Sequence, residues 1–363
     1  MTPRSQITSP YMEWAKLHSS AKYNLATSGI MSYPLAELPV RVEELEINGP
    51  DAYGYKPLLE RIARYNQVPV DSVAVAAGTS LANHLAMAAA FDPGDEVLIE
   101  HPTYELLETT ALYLGAKLRR FERRFDDGFR LDPAEVERRI SPQTRLIVLT
   151  NLHNPSGAYA DEAALRAIGD IAKAHGARVL VDEVYLEALY EKRPPAAIHL
   201  GDHFLVTSSL TKGFGLSGVR CGWILAAPEV CHRIRRIHDL YGVNPAHPAD
   251  LISVVAFDHL DKITARAKEI LDANRSHLNA FLDSRHDLEF FRPDYGPVVF
   301  PRLRRGNVED FVALLREKHE TSVVPGRFFD MPQHFRIGIG GNPEMTREAL
   351  NRLARALDEY DRA

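Results

Sequence analysis

Residues 204–220 read FLVTSSLTKGFGLSGVR, an apolar run followed by a polar segment that is rich in glycine. The run at 204–208 has the pattern of a buried strand, so Lys212 comes just after a strand end. Ser209 precedes this lysine by three residues and Arg220 follows it by eight. A lysine in that setting suits an amine that forms a Schiff base, with the hydroxyl and the guanidinium holding a phosphate beside it.

The chain around this motif alternates between two hydrophobic patterns. Short β-branched runs predict strands at residues 73–76, 96–100, 145–150, 178–182, 204–208 and 222–226. Residues 81–91 and 163–175 have the spacing of amphipathic helices, and Asp161 and Gly176 mark the start and end of the second. We therefore predict an α/β fold with a mostly parallel sheet and helices on both faces. In such sheets, ligands bind at the carboxyl ends of the strands.

The pattern changes after residue 245. A long helix is predicted over residues 251–283, and the last helix is capped by Asn342 and has proline at its first position. Short strands are predicted between these helices at residues 288–291, 298–303 and 335–339. We predict three units: an N-terminal segment that packs with the small domain, residues 1–45; a large ligand-binding domain, 46–245; and a small α+β domain, 246–363.

Composition is that of an ordinary globular protein. Of the 363 residues, 45% are hydrophobic and 25% are charged, and the length suits two domains. The net charge of −6 gives no reason to expect a nucleic acid or an acidic membrane as a partner. One basic cluster is interpreted as solvated surface: Arg119, Arg120, Arg123 and Arg124.

Cysteine content and the N-terminal sequence bear on the compartment. The two cysteines, Cys221 and Cys231, argue against a disulfide framework or a structural zinc site, and no metal is predicted. Residues 1–16 lack the apolar core of a signal peptide, and no apolar run reaches transmembrane length. We expect a cytoplasmic protein.

Two other motifs overlap the lysine segment. Residues 213–218 match the dinucleotide pattern G-x-G-x-x-G, with Asp239 about 20 residues further on. That motif needs a helix directly after the glycines, whereas residues 219–225 have a strand pattern. Ser209 and Lys212 also match the S-x-x-K of serine acyl-enzymes, but the S-D-N and K-T-G tripeptides of those enzymes do not occur in the sequence. Neither alternative is favoured.

Polar residues at other strand ends suit pyridoxal phosphate (PLP). The ring of PLP accepts electrons when its pyridine nitrogen stays protonated, which requires a carboxylate beside it. Asp182, at the end of the strand predicted at 178–182, is the candidate. Asn154 and Tyr185 follow strand ends and can donate to the phenolate oxygen of PLP. We group Tyr185 with Lys212 and Asp182 as the catalytic candidates.

The phosphate of PLP needs backbone N–H groups at a helix start and a cation. Three residues between a predicted strand and a predicted helix supply such a start: Gly78, Thr79 and Ser80. Simple capping of the helix by the two hydroxyls uses the same geometry and is compatible with phosphate binding. Ser209 and Arg220 add a hydroxyl and a bidentate donor. Tyr104, at the start of the helix after residues 96–100, is the candidate to stack on the ring.

Taken together and in order, these features resemble the fold-type-I, PLP-dependent aminotransferases of class I and II. The resemblance extends from around Asn24 to the last helix. It depends on DPGDEV at 92–97, NPSG at 154–157, DEVY at 182–185, the lysine segment with Arg220, PG at 325–326 and FRIG at 335–338.

The resemblance implies further roles. Lys212 forms the internal aldimine, Arg336 binds the substrate α-carboxylate, and Asn154 and Gly29 lie near the substrate. A homodimer with shared active sites is also implied, in which a tyrosine of the partner subunit commonly reaches the phosphate. Tyr53 is our candidate, although many members place that tyrosine several residues before the glycine, so that Tyr55 or no residue at all are the alternatives.

The implied reaction is transamination between an L-amino acid and a 2-oxoacid through the Lys212 aldimine, with the lysine as acid and base. Other outcomes of the same cofactor are β-elimination by a C–S lyase, a cyclising elimination and amino-acid oxidation. Tyr185 after Asp182 resembles the transaminases more than the C–S lyases. A PLP-binding regulator would need a DNA-binding module, and no helix-turn-helix pattern occurs in residues 1–45. The sequence identifies neither the amino acid nor the oxoacid.

Overall fold

The computed structural model describes residues 8–50 and 52–361. The strands are β1 (Tyr23–Asn24), β2 (Val73–Ala77), β3 (Glu96–His101), β4 (Lys117–Glu122), β5 (Thr144–Thr150), β6 (Arg178–Asp182), β7 (Phe204–Ser209), β8 (Cys221–Leu225), β9 (Leu288–Glu289), β10 (Val298–Val299), β11 (Arg302–Leu303), β12 (Thr321–Ser322), β13 (Val324–Pro325) and β14 (Phe335–Gly338). The α-helices are α1 (Pro10–Leu17), α2 (Lys56–Asn66), α3 (Thr79–Ala90), α4 (Glu105–Tyr113), α5 (Pro133–Arg139), α6 (Glu162–Ala174), α7 (Pro228–His238), α8 (His247–Asp258), α9 (Leu260–Asp283), α10 (Val308–His319) and α11 (Pro343–Tyr360).

A seven-stranded sheet forms the centre of the fold, with the order β2-β8-β7-β6-β5-β3-β4. Neighbouring strands are parallel except for the two pairs that contain β8. The carboxyl ends of the other six strands therefore share one edge of the sheet. The predicted α/β class and mostly parallel sheet are confirmed.

Both faces of this sheet are buried, because alternate side chains of each strand enter different cores. In β6, Val179 and Val181 pack in one core with Ile168 of α6, whereas Leu180 packs in the other core with Leu85 of α3. Each such buried side chain contributes roughly 1.5–3 kcal/mol. The two cores hold the strand ends, and the polar residues that follow them, in fixed positions.

The later part of the chain forms smaller sheets, of which the largest has the order β10-β14-β13. Its core joins Leu278 of α9, Phe335 of β14 and Leu353 of α11. The N-terminal segment joins it too, since β1 pairs with β12 and Leu25 belongs to the same core. Tyr33, further along the segment, lies in the core of the large sheet. The bounds proposed for the three units stay a prediction.

The predicted helix over residues 251–283 is wrong, because the chain forms two helices, α8 and α9, that are separated at His259. The reason is packing: α8 lies against α2 and the large sheet, whereas α9 lies mainly against α11. The strand predicted at 298–303 is likewise split into β10 and β11, at a point where Pro301 lacks the N–H group a ladder requires.

Within the described residues, no helix has the length and apolarity needed to cross a bilayer.

The interpretation of the arginine cluster as solvated surface is wrong for one member. Arg123 is 1% exposed, and its guanidinium donates to the Glu100 carboxylate (2.8 Å) and to the Phe129 carbonyl (2.8 Å). The cause lies in the neighbouring strand, since Glu100 is a fully buried carboxylate that needs a cation beside it. The side chains of Arg119 and Arg124 are 41% and 67% exposed.

Candidate active site

A cavity of about 210 Å³ lies at the carboxyl ends of the central strands. It brings together eight of the residues predicted from sequence: Thr79, Ser80, Tyr104, Asn154, Asp182, Tyr185, Lys212 and Arg220. Four further predicted residues contact the lining residues but do not line the cavity themselves: Gly78, Ser209, Gly29 and Arg336. Strands far apart in sequence thus place their terminal polar residues around one space, as expected for a parallel sheet.

Lys212 enters the cavity from the loop after β7. Its Nζ donates to the Ser28 hydroxyl at 3.4 Å, and Gly29 lies so close that a Cβ there would be 3.3 Å from the lysine Cδ. Desolvation and the positive charges of Arg336 and Arg220 lower the pKa of Lys212 to about 8. Part of the amine is therefore neutral near neutral pH, the form that attacks a carbonyl or accepts a proton.

Asp182, at the end of β6, is 4% exposed. Its Oδ2 accepts a bond from the Asn83 amide (2.8 Å) and its Oδ1 accepts one from the Val184 N–H (3.0 Å). Burial raises the pKa of Asp182 to about 6, and these donors and Lys212 limit the rise. The carboxylate is therefore mostly ionised at neutral pH and fixed in orientation, as a partner for a protonated ring nitrogen must be.

Tyr185 and Asn154 line the cavity from the loops after β6 and β5. Burial raises the pKa of Tyr185 to about 12, so its hydroxyl is a donor at neutral pH. The charge of Arg336 and the Ser28 hydroxyl, which also accepts from Lys212, limit this rise in pKa. The Asn154 Oδ1 accepts from Arg336 (2.8 Å), so its Nδ2 is the group able to donate to a ligand.

The phosphate end of the cavity is built around Gly78. This residue has φ +81° and ψ 170°, a backbone conformation that favours glycine, and the Arg220 guanidinium lies where a Cβ would come within 2.1 Å of it. Helix α3 begins at the next residue, and no described side chain caps it. Neither Thr79 nor Ser80 caps this helix, and the Thr79 hydroxyl donates to the Ser209 hydroxyl instead (2.8 Å).

The donors at this end fit a phosphate. Uncapped N–H groups of α3, the Thr79 and Ser209 hydroxyls and the Arg220 guanidinium lie together. The Thr211 hydroxyl is also buried here, with no partner among the described residues. A helix N-terminus with a cation and hydroxyl groups is a common anion site.

Arg336 of β14 lies behind the opposite end of the cavity, against the lining residues Asn154 and Tyr11, and is 1% exposed. Its guanidinium donates to Asn154 Oδ1 (2.8 Å), the Tyr11 hydroxyl (3.0 Å) and the Ala26 carbonyl (3.2 Å). Its Nε has no partner in residues 8–50 and 52–361, and no carboxylate of that part of the chain bonds the group. A buried cation without a counterion is unfavourable until an anion binds, and a carboxylate suits it.

Tyr104 and Tyr53 differ in position. Tyr104 lines the cavity, its ring meets that of Tyr11 edge-on (5.7 Å), and its hydroxyl donates to Met12 Sδ (3.6 Å). Tyr53 is 42% exposed and its hydroxyl donates to Asp239 at 3.4 Å. It lies away from the cavity of its own chain, so a role at the site of a partner subunit stays a prediction.

Several residues of the site were missed from sequence: Tyr11, Met12, Ser28, Asn83, Thr150, Leu152, Val184 and Thr211. Asn83 could have been found, because it lies four residues after Thr79 and thus on the same face of α3. Tyr11 and Ser28 come from the N-terminal segment, where no periodic pattern indicates which residues turn toward the sheet.

Comparison with known proteins identifies the family and agrees with the features of the cavity. The family model "Aminotransferase class I and II" matches residues 46–353. Capreomycidine synthase of Streptomyces vinaceus is 29% identical over 360 residues, 95% of this chain and 92% of that protein. Arginine–pyruvate transaminase of Pseudomonas aeruginosa is 29% identical over 322 residues, 84% and 81% respectively. A crystal structure of a PLP-dependent aminotransferase from Streptococcus suis has a TM-score of 0.91 at 27% identity and covers 97% of each chain.

The chain therefore belongs to the class I and II aminotransferase family. It is a PLP-dependent enzyme that transfers an amino group between an amino acid and a 2-oxoacid. The predicted family, cofactor and reaction class are confirmed. The strand β8 that follows residues 213–218 also excludes the dinucleotide motif, which would need a helix there.

Proposed function

We propose that Lys212 binds PLP covalently and moves the substrate proton during transamination. Bound PLP supplies an acceptor for the electrons that the substrate Cα releases when it loses its proton. The observation that carries the proposal is a lysine with a pKa of about 8 inside a cavity whose two ends fit a phosphate and a carboxylate. Its neutral amine accepts the Cα proton, and its protonated form returns it.

The cofactor-binding roles follow from the donors of the cavity. Helix α3, Ser209 and Arg220 hold the phosphate, and Asp182 keeps the ring nitrogen protonated. Tyr185 and Asn154 donate to the phenolate oxygen, and Tyr104 covers one face of the ring. Each role is supported by the position and protonation of the group, since Asp182 is an acceptor and Tyr185 a donor at neutral pH.

The substrate-binding role belongs to Arg336. Its free Nε and the missing counterion support the binding of an α-carboxylate, which Asn154 orients by holding the guanidinium at 2.8 Å. Gly29 leaves the space beside Lys212 open, since a side chain there would press on the lysine. The substrate is thereby placed with its Cα near the amine that moves its proton.

We also propose a cytoplasmic homodimer with shared active sites. Exposed apolar side chains lie in two segments, one that precedes Tyr53 in sequence and one that follows its hydrogen-bond partner Asp239: Val42 (79%), Ile47 (81%), Leu240 (81%) and Val243 (65%). Apolar surface of this kind is costly in water, and a second copy would cover it and bring Tyr53 to a neighbouring site. Both cysteines are buried thiols, which suits a reducing compartment.

A half-reaction screen tests the function. Enzyme loaded with PLP is mixed with a panel of amino acids, while cofactor absorbance is followed and products are identified by mass spectrometry. We expect at least one amino acid to yield its 2-oxoacid and convert the cofactor to its amine form, which a second oxoacid reverses. The Lys212→Ala variant is the control and should show no conversion.

A cyclised, eliminated or oxidised product with retained PLP would contradict transamination. That outcome is included because capreomycidine synthase matches a larger share of the chain than arginine–pyruvate transaminase does. It would leave the cofactor-binding roles intact.

A further inference from the structure

Helix α1 forms one wall of the cavity. Tyr11 and Met12, in its first turn, line the cavity on the side of Arg336. The helix has eight residues, too few to be stable by itself, so its position depends on contacts with the rest of the protein.

The N-terminus of α1 is bound by a single carboxylate oxygen. Oε2 of Glu105 accepts from the Tyr11 backbone N–H (2.7 Å) and from the Ser9 hydroxyl (2.9 Å). The Ser9 hydroxyl in turn accepts from the Met12 N–H (3.1 Å). A negative charge at a helix N-terminus is favourable, so Glu105 joins α1 to α4 at the point where the helix begins.

A continuous set of contacts leads from this carboxylate to the substrate end of the cavity. Glu105 is adjacent in sequence to Tyr104, whose ring packs edge-on against Tyr11. The Tyr11 side chain is buried, and its hydroxyl accepts from Arg336 at 3.0 Å. Displacement of the α1 N-terminus would move that hydroxyl and remove one of the partners that orient the guanidinium.

The geometry points to Glu105 as a positioning residue for the carboxylate site. Glu105 fixes the start of α1, α1 fixes Tyr11, and Tyr11 orients Arg336. Glu105 does not line the cavity, so it acts through α1 and not by contact with a ligand. The inference rests on the proposed role of Arg336 and adds to it a residue that acts through a helix.

The test compares Glu105→Ala with Glu108→Ala. Glu108 lies one turn further along α4 and pairs with Arg120 rather than with α1, so it is a matched control. Glu105→Ala should raise KM for both the amino acid and the oxoacid about tenfold, since both carboxylates use Arg336. It should leave kcat within about threefold and the absorbance of bound PLP unchanged. Glu108→Ala should leave KM at the parent value.

A second readout follows α1 without activity. Of the two tryptophans, Trp223 is 0% exposed in the large core, and Trp14 lies on α1 with its ring 5.4 Å from that of Phe328. Acrylamide quenching therefore reports mainly on Trp14. Glu105→Ala should increase quenching with and without PLP, and Glu108→Ala should not.

The inference requires that Glu105→Ala raises both KM and acrylamide quenching. If only one of the two rises, or neither does, the inference is overturned. Arg336→Ala is measured in parallel. An unchanged KM there would refute the proposed role of Arg336 and the inference with it. A raised KM in Arg336→Ala with an unchanged KM in Glu105→Ala would refute the inference alone. If Glu105→Ala folds poorly, Ser9→Ala, which removes one of the two bonds, should give the same changes at smaller size.

Discussion

The two ends of the cavity are built in different ways. At the phosphate end, three residues lie at or next to the ends of strands of one sheet, and backbone geometry fixes them: Gly78, Ser209 and Arg220. At the substrate end, Arg336 contacts Tyr11 and Asn154, which are 325 and 182 residues away in sequence. The first end is a property of one rigid sheet, whereas the second exists only when three parts of the chain pack together.

This difference predicts a separation of effects. Substitutions among the groups around the cofactor should change kcat or the affinity for PLP, because those groups act on the ring and its phosphate. Substitutions at the substrate end should change KM, because they alter how the carboxylate is held in both the ground and transition states. Substitution of a residue that contacts both ends should change KM together with kcat or the affinity for PLP.

Lys212→Ala should have the largest effect, a loss of kcat of about a thousandfold or more, because the acid–base group is removed. The variant should retain its circular dichroism spectrum and bind PLP without a covalent bond. Lys173→Ala, on the exposed surface of α6, is the control and should retain full activity. Near-normal turnover by Lys212→Ala would remove this residue from the chemistry.

Asp182→Asn should lower kcat by about tenfold to a hundredfold, the value of one charge-assisted hydrogen bond. The neutral amide cannot keep the ring nitrogen protonated, while KM should stay within about threefold. Steady-state kinetics measures both. Asn83→Ala, which removes the donor to this carboxylate, should act in the same direction with a smaller effect. A change confined to KM would contradict the separation of the two ends.

Arg336→Ala should raise KM for amino acids about tenfold or more, since a charged bond to the α-carboxylate is lost. The affinity for PLP, measured by absorbance titration at a pH where Lys212 is neutral in both proteins, should not change. Arg304→Ala removes an arginine paired with Glu289 outside the cavity and serves as the control. If Arg336→Ala releases PLP without altering KM, the two ends have been assigned the wrong way round.

Tyr185→Phe should lower kcat about threefold to tenfold, the value of one uncharged hydrogen bond. With a pKa of about 12, this hydroxyl is protonated at neutral pH and can donate, and the proposed acceptor is the phenolate oxygen of the cofactor. The absorption maximum of bound PLP should shift as well. An unchanged spectrum would exclude contact between Tyr185 and the phenolate oxygen.

The smallest expected effect is on the pH dependence of PLP uptake, which depends on the charge of Arg336 at the substrate end. Uptake of PLP by apoenzyme needs the neutral form of Lys212, so its rate should rise with pH and reach half its maximum near pH 8. The charge of Arg336 lowers the pKa of Lys212, so in Arg336→Ala the rise should occur at higher pH. Stopped-flow absorbance between pH 6 and about 10.5 covers the range up to the usual lysine value. A profile that moves to lower pH would contradict the electrostatic cause.

The central sheet was predictable because most of its strands are short apolar runs bounded by turns or helices. β4 was missed because its sequence, KLRRFE, is charged, as suits a strand at the edge of a sheet. The break at His259 has no proline or glycine to announce it and results from the two different layers that α8 and α9 pack against.

The site likewise contains residues that the sequence could predict and residues that it could not. Lys212, Asp182 and Asn154 could be predicted because each lies at or shortly after the end of a strand, and parallel strands end at one edge. The roles of Tyr11 and Ser28 could not, because contacts over such distances in sequence depend on tertiary packing. Arg123 was misread for the same reason: its partner, Glu100, lies on the neighbouring strand.

The central claim concerns the covalent attachment of PLP. Borohydride reduction of the PLP-loaded enzyme, followed by peptide mapping, identifies the modified side chain. The account predicts one pyridoxyl group on Lys212 and none on Lys173. Attachment to another lysine, or a fully active enzyme with no reduced adduct, would contradict it.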